Sequence, residues 1–434
     1  MASPTRSATT VTRDTPNDPR DLLAHVGPGA DLLVPLSFGE PVVLLDVLEE
    51  NAEQLERVRI HQMNPIRPRA YIRGEFGDHL RHVGYYLGPG SRQAYWDGQC
   101  DLVPNHFSEL PLLLRQTTTP TLVLAAAAGP DEHGYFSLGT NADYVASFIG
   151  EVPFFLEVMP GQPFTYGQNL VHVSQLAGWI RSDAALPTVT RREPSAADAA
   201  IAGHVAALIP DGACVQVGVG SIPNALLTAL SGHTDLGIHT ECLSNGLMRL
   251  VEQGAATGTR KRQLRNKHVA TFAVGDAAFL AWLDHNPSVA MMPAEWTNDP
   301  RVIAQEPNFM SINATTEVDL MGQAASETIA GRYWSSSGGQ SDFARGAMYS
   351  PGGKAFLVLH AQTSSGRSRI RTHLTEGSVV TTLKNTVDHI VTEYGVATLR
   401  GCSLRQRAEH LIGIAAPEHR DELRFEAAKA GLLH

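Results

Sequence analysis

The sequence predicts an α/β protein built as two open, mainly parallel α/β domains of similar size. Three observations carry this. Apolar strand-like runs alternate with helix-like stretches in both halves of the chain, a segment rich in proline and charge divides the halves, and a strand–glycine turn–helix unit lies within the second. With 434 residues there is enough chain for more than one apolar core, and two domains are expected.

Residues 1–21 are rich in Ser, Thr, Pro, Arg and Asp without apolar periodicity, which reads as a flexible tail. In residues 22–190, the N-terminal α/β domain, Val42-Val43-Leu44-Leu45, Leu122–Ala127 and Phe154–Val158 read as strands. The domain boundary falls in the segment from Leu186-Pro187 to Pro194-Ser195, and an alanine-rich helix from Ala196 to Leu208 opens the C-terminal domain, 195–434. Its candidate strands are Cys214–Val217, Leu236–His239, Val269–Phe272, Phe356–His360, Ser378–Thr382 and His389–Thr392. The basic run Arg260-Lys261-Arg262 through Lys267 reads as a solvated loop.

Composition excludes several classes. A formal net charge of −10 argues against a dedicated binder of nucleic acid or anionic membrane, since such surfaces need excess lysine and arginine. The four cysteines, Cys100, Cys214, Cys242 and Cys402, lack CxxC spacing, so neither a zinc site nor a disulfide framework is indicated, and a reducing cytoplasm is expected. No metal is expected, because the HxxH pair His79 and His82 has no further ligand cue. The longest apolar run, Leu122 to Ala128, is far short of the roughly 20 residues that span a bilayer, and the polar start lacks a signal core.

The chemistry gathers in the second half. Ala213–Val217 reads as a buried strand, Gly218-Val219-Gly220-Ser221 as a tight turn, and Pro223 as a residue in the first turn of a helix. Backbone N–H groups at such a turn, with the helix dipole, stabilise anions or an oxyanion. Twenty-one residues past Gly220, Glu241 ends the next strand. A dinucleotide-binding fold would put its ribose-binding carboxylate in much the same place, which makes an NAD-dependent enzyme an alternative; against it, Pro223 stands where GxGxxG needs its third glycine. A third segment, Ser335-Ser336-Ser337-Gly338-Gly339-Gln340, has the small residues that allow close backbone approach to a ligand.

From about residue 30 to 425 the sequence resembles the acetyl-CoA hydrolase/transferase family, the class I CoA-transferases that include 4-hydroxybutyrate and butyryl-CoA:acetate CoA-transferases. The matching segments are Val103–Glu109, Pro130–Gly139 and His172-Val173-Ser174 in the first half. In the second they are Gly218–Ala225, Gly237–Glu241, Asn298-Asp299-Pro300, Ser311-Ile312-Asn313, Gly338-Gly339-Gln340, Ser368-Arg369-Ile370 and Thr392–Ala397.

The resemblance implies CoA transfer between acyl-CoA and small carboxylic acids, with CoA as co-substrate and a homodimeric assembly. Glu241 matches the family's catalytic glutamate, which forms a mixed anhydride and then a glutamyl-CoA thioester. The turn Gly218-Val219-Gly220 and the pair Gly338-Gly339 match the oxyanion donors; one such donor is worth on the order of 10²–10³ in rate. Asn298, Gln340 and Glu393 are implied supporting residues, and Gln216, Gly218, Gly220, Pro223, Lys354 and Arg369 an implied CoA site. A thioester hydrolase of the same fold and a non-catalytic CoA-binding protein stand as alternatives.

The chain departs from the family pattern near the site. Ser336 and Ser337 precede Gly338, with Ser336 replacing a glycine, which is costly if that position needs a positive φ. Asn245 replaces a common aspartate, Cys242 a frequent methionine, and Met159 and Phe164 stand where asparagine and arginine are usual. The last two replacements lead to the expectation of an acid larger and less polar than acetate or 4-hydroxybutyrate.

Overall fold

The computed structural model describes residues 11–187 and 193–433. The first ten residues of the expected tail and residues 188–192 of the expected boundary lie outside them. Within the described part of the tail, the Asn17 side chain accepts from the Trp179 N–H and the Thr12 carbonyl accepts from the Trp179 indole.

Two sheets organise the chain. The first contains β1 (Asp31–Val34), β2 (Val58–Met63), β3 (Leu80–Tyr86), β4 (Asp101–Leu102), β5 (Pro120–Ala127), β6 (Phe154–Val158) and β7 (Leu176–Arg181), in the order β4-β3-β2-β1-β5-β6-β7. Every pairing in it is parallel. The second contains β8 (Cys214–Val217), β9 (Gly237–Ser244), β10 (His268–Val274), β11 (Val289–Met291), β12 (Phe309–Ala314), β13 (Lys354–Val358), β14 (His389–Thr392) and β15 (Gly395–Thr398), in the order β11-β10-β9-β8-β12-β13-β14-β15. Only β14 and β15 pair antiparallel there. The strand order reverses between β1 and β5 in the first sheet and between β8 and β12 in the second, the switch points at which open α/β sheets leave a crevice at their carboxyl ends.

Strands β5, β6, β8 and β14 follow their apolar runs. The run Val42–Leu45, expected as a strand, instead begins helix α1 (Val42–Glu50). The buried Glu157 carboxylate on β6 accepts from the N–H groups of Val43 and Leu44, capping that helix across 113–114 residues of sequence. Ser378–Thr382, also expected as a strand, is irregular apart from one bridge between Thr382 and Ala324. The expected alanine-rich helix forms as α2 (Ala196–Ala206), and the glycine turn leads into α3 (Ser221–Ala229). Lys261, placed by its charge in a solvated loop, is buried, and its ammonium donates to the carbonyls of Ile238 and Lys267.

One apolar core runs through both halves, joining Leu33, Val123 and Trp179 with Val215, Ile238 and Val391. The halves also meet through hydrogen bonds. The N–H groups of Ala142 and Asp143 donate to the Thr271 carbonyl on β10, and Ala294 N–H donates to the Asp143 carbonyl. The seam therefore lies at the carboxyl ends of the strands, where it brings loops of the first sheet over the second.

Candidate active site

Parallel pairing sets Cys214 opposite Gly237 and Val215 opposite Ile238. Counted on from these pairs, the register sets Glu241 on β9 at the level of Gly218, where β8 gives way to the turn. The turn after β8 thus lies between Glu241 on β9 and the crevice that opens between β8 and β12 on its other flank. Gly218 N–H donates to the Ile312 carbonyl on β12, Gly220 takes a φ of 134° that a side chain would oppose, and Val219 at the tip is 68% exposed. Pro223 is buried in the first turn of α3. Beneath the turn, Gln216 and Asn313 exchange reciprocal amide hydrogen bonds at 2.9 and 3.1 Å, and Ser311 donates to Gln216.

The second glycine segment covers Glu241 from above. Helix α4 (Asn245–Glu252) follows β9, and α5 (Ala294–Thr297) ends at Asn298, whose fully buried side chain donates its amide to Oε2 of Glu241 at 2.7 Å. Gly339 is the N-cap of α6 (Gln340–Tyr349), and its N–H also favours the ionised Glu241. A Cβ on Gly339 would overlap both the Glu241 carboxylate and the Asn298 amide, so no other residue permits this approach. Burial outweighs both donors and raises the Glu241 carboxyl to about 7. An anion there also lies at the positive end of α6.

The positive φ in this segment belongs to Gly338, at 54°, while Ser336 takes an ordinary negative φ. The replacement of glycine by Ser336 therefore carries no left-handed strain. Its hydroxyl is buried and has no hydrogen-bond partner among the described residues. Ser337 donates to Glu327.

Sequence reasoning missed the groups that the first half contributes. A Cβ on Gly338 would stand 3.4 Å from the Tyr86 ring, at the end of β3, and burial near Glu241 raises the Tyr86 phenol. Phe107 N–H donates to the Gly338 carbonyl at 3.1 Å. The Ser108 N–H and hydroxyl both donate to Asp342 on α6, whose buried carboxyl is pushed up to about 8. The segment Val103–Glu109 held a signal for this contact only as a resemblance. Tyr86 had none, because tertiary packing alone brings it to Gly338. Ser108 and Asp342 also line a groove of about 1030 Å³, with Arg115, Asp299, Arg301 and Arg345, that adjoins Glu241 without containing it.

Other expected residues lie elsewhere. Gln340 donates to Ser326 and Thr382, which fixes the start of α6 without touching Glu241. Glu393 accepts from Ala361 N–H. Lys354 begins β13 at the amino edge of the sheet and donates to the Leu208 carbonyl, so it faces away from the edge that carries Glu241. Arg369 lines a small pocket with Arg367 and Arg371, and burial lowers its pKa. Asn245 accepts from Asp276 N–H. Cys242 points away from Glu241 on the continuing strand and is buried, which holds its thiol protonated. Met159 is buried, and Phe164 stacks on His285 at the seam, with ring centroids 5.1 Å apart. A ribose-binding role for Glu241 fits poorly, because its carboxylate is already bonded by Asn298 and closed over by Gly339.

Among the described residues no group of three or more His, Cys, Asp or Glu side chains could hold a metal ion, and no helix is long and apolar enough to cross a membrane.

Comparison with known proteins gives two family matches: residues 17–154 match the acetyl-CoA hydrolase/transferase N-terminal domain, and residues 275–427 the C-terminal domain. The chain is 39% identical to a succinyl-CoA:cyclohexane-1-carboxylate CoA transferase of Geobacter metallireducens, covering 95% of this chain and 94% of that one. It is 37% identical to a 4-hydroxybutyrate coenzyme A transferase of Clostridium kluyveri, over 91% and 92%. The crystal structure of RipA from Yersinia pestis superposes with a TM-score of 0.90 at 31% identity, over 96% of this chain and 98% of that one.

Proposed function

Because the chain belongs to the acetyl-CoA hydrolase/transferase family, we propose that it is an acyl-CoA:carboxylate CoA-transferase in which Glu241 is the covalent nucleophile. The observation that supports this most is the clasp on Glu241: a carboxylate at the carboxyl edge of a parallel sheet, held by Asn298, capped by Gly339 and level with the Gly218 turn.

In this reading a Glu241 oxygen attacks the thioester carbonyl of the acyl-CoA. The C–S bond breaks, leaving CoA thiolate and an acyl-glutamyl anhydride. The thiolate then attacks the glutamyl carbonyl and expels the first carboxylate, giving a glutamyl-CoA thioester. An incoming carboxylate displaces the thiolate from that thioester to form a new anhydride, and the thiolate takes the new acyl group and frees Glu241. Each attack puts negative charge on a carbonyl oxygen. The N–H groups of Val219 and Gly220 and of the Gly338-Gly339 pair are proposed to receive that charge; Gly218 N–H is already given to the Ile312 carbonyl.

CoA is the co-substrate, and Gln216, Gly218, Gly220 and Pro223, close to the crevice, are proposed to line its path. Arg369 remains an anion contact in the proposal, whereas Lys354, turned to the amino edge, is left out. The acyl acceptor is proposed to have an apolar body. The Tyr86 ring beside Gly338 and the cyclohexane-1-carboxylate transferase among the relatives both favour this.

The test is intact-mass analysis after incubation with a panel of acyl-CoAs. Retention of CoA on the peptide carrying Glu241, lost on adding a free acid with formation of its CoA ester, is the expected result. No adduct from any donor, with Glu241→Ala exchanging CoA at the wild-type rate, overturns the mechanism. CoA release that is independent of added acid identifies a hydrolase instead.

A further inference from the structure

His239 lies two residues before Glu241 on β9 and so on the same face of the sheet. It is fully buried, and its Nε2 stands 2.6 Å from the Thr297 carbonyl. A carbonyl only accepts, so Nε2 carries the proton, and Nδ1 has no partner among the described residues. The ring stacks on Trp296, with centroids 5.5 Å apart and planes at 24°, and meets Phe309 and Phe343 edge-on.

These contacts have a common destination. Trp296 and Thr297 are the two residues before Asn298, whose amide donates to Glu241. Phe343 stands on α6 four residues after Gly339, which caps the same carboxylate. One imidazole therefore touches both segments that supply donors to Glu241, from the strand that carries Glu241 itself.

We propose that His239 is a positioning residue for Glu241: through the Thr297 carbonyl and the Trp296 and Phe343 rings it sets the Asn298 amide and the Gly339 turn on the nucleophile. The inference rests on the reading of Glu241 as nucleophile. A histidine that only filled the aromatic box would be replaceable by a leucine at a loss of stability, with the chemistry of Glu241 untouched. A histidine that sets donors cannot be replaced in that way, because misplacing a reacting group by about 1 Å costs on the order of 100-fold in rate.

The experiment compares His239→Leu, His239→Gln, Asn298→Ala and the double variant His239→Leu/Asn298→Ala in the full chain. For each, kcat and KM of CoA transfer, the pH profile and thermal unfolding are measured. His239→Leu is expected to lower kcat by about 100-fold with KM for the acyl-CoA nearly unchanged, and to move the acid limb of the profile to higher pH. His239→Gln, whose amide can donate to Thr297, is expected to recover most of the rate. In the Asn298→Ala background His239→Leu should cost less, because the part of its effect that runs through the Asn298 amide is already gone. A wild-type pH profile in His239→Leu, no better rate in His239→Gln than in His239→Leu, or losses that multiply in full in the double variant, overturns the proposal. If wild-type protein forms no CoA adduct on Glu241, the nucleophile reading fails; if it forms the adduct and the variants keep the wild-type profile, only the role of His239 fails.

Discussion

Ser108 and Asp342 join the two halves through two hydrogen bonds to one carboxyl group, from the hydroxyl at 2.8 Å and from the N–H at 3.0 Å. The neighbouring bond from Phe107 N–H to the Gly338 carbonyl means that the turn over Glu241 is held by the first half as well as by its own helix. Ser108→Ala removes the hydroxyl donor and is expected to cost about 1 kcal/mol of stability. The rate of transfer should fall more than this loss of stability alone explains. Chemical denaturation set beside single-turnover kinetics checks it, and an unchanged rate in a destabilised variant counts against the latch.

Gly339→Ala is expected to abolish transfer. Its Cβ would overlap the Glu241 carboxylate and the Asn298 amide together, so one of them must leave. The loss should be at least 10²–10³-fold, the worth of a preorganised donor. Unfolding followed by circular dichroism should show a loss of stability too small to account for the loss of transfer.

Glu241 must be ionised to attack, and burial raises it to about 7. The quantity kcat/KM is therefore expected to climb between pH 6 and 8. Asn298→Ala should move that limb upward, because its amide favours the charged form. Folding lifts this carboxyl above its ordinary 4.5, so between about pH 4.5 and 7 the folded state holds a proton that the unfolded chain releases. Stability from this group falls as pH rises through that window. Glu241→Gln should then melt above the wild type at pH 8, and the difference should vanish near pH 4.

Tyr86→Ala opens space beside Gly338 and is expected to shift preference among acceptor acids toward bulkier ones, while Tyr86→Phe keeps the wild-type order. Competition between cyclohexanecarboxylate, 4-hydroxybutyrate and acetate for one CoA donor reads the change as a ratio of kcat/KM. Equal ratios in all three proteins would remove Tyr86 from the acyl wall.

Lys354→Ala is expected to leave KM for acyl-CoA unchanged. Its ammonium is bonded to the Leu208 carbonyl at the opposite edge of the sheet from Glu241. A tenfold rise in KM would restore it to the CoA site.

What the sequence disclosed was local. The strand, glycine turn and helix around Gly218 are short-range patterns and stand as read; Glu241, expected to end the next strand, instead lies within it, since that strand runs on to Ser244. Val42–Leu45 was misread because a short apolar run has no period of its own, and the helix cap comes from Glu157, far away in the chain. Lys261 was misread because charge suggests water, whereas two backbone carbonyls receive its ammonium. Tyr86 and the Ser108–Asp342 pair depend on the packing of one half against the other, which no local pattern encodes.

The two sheets follow the same path, four strands outward from the switch point in one direction and then the rest in the other. In the second sheet the strands β8 and β9, beside that crevice, carry the Gly218 turn and Glu241. At the corresponding strands of the first sheet, over the carboxyl ends of β1 and β2, Tyr144 bonds to the Val34 carbonyl and the Met63 N–H, and Asp143 accepts from Leu36 N–H. The same segment reaches across to β10. The two sheets thus share one strand path, with Tyr144 and Asp143 packed over the ends of β1 and β2 in the first and the Gly218 turn and Glu241 at the corresponding strands of the second. Loosening Tyr144 would free the Val34 carbonyl and the Met63 N–H and weaken the neighbouring tie from Asp143 to β10.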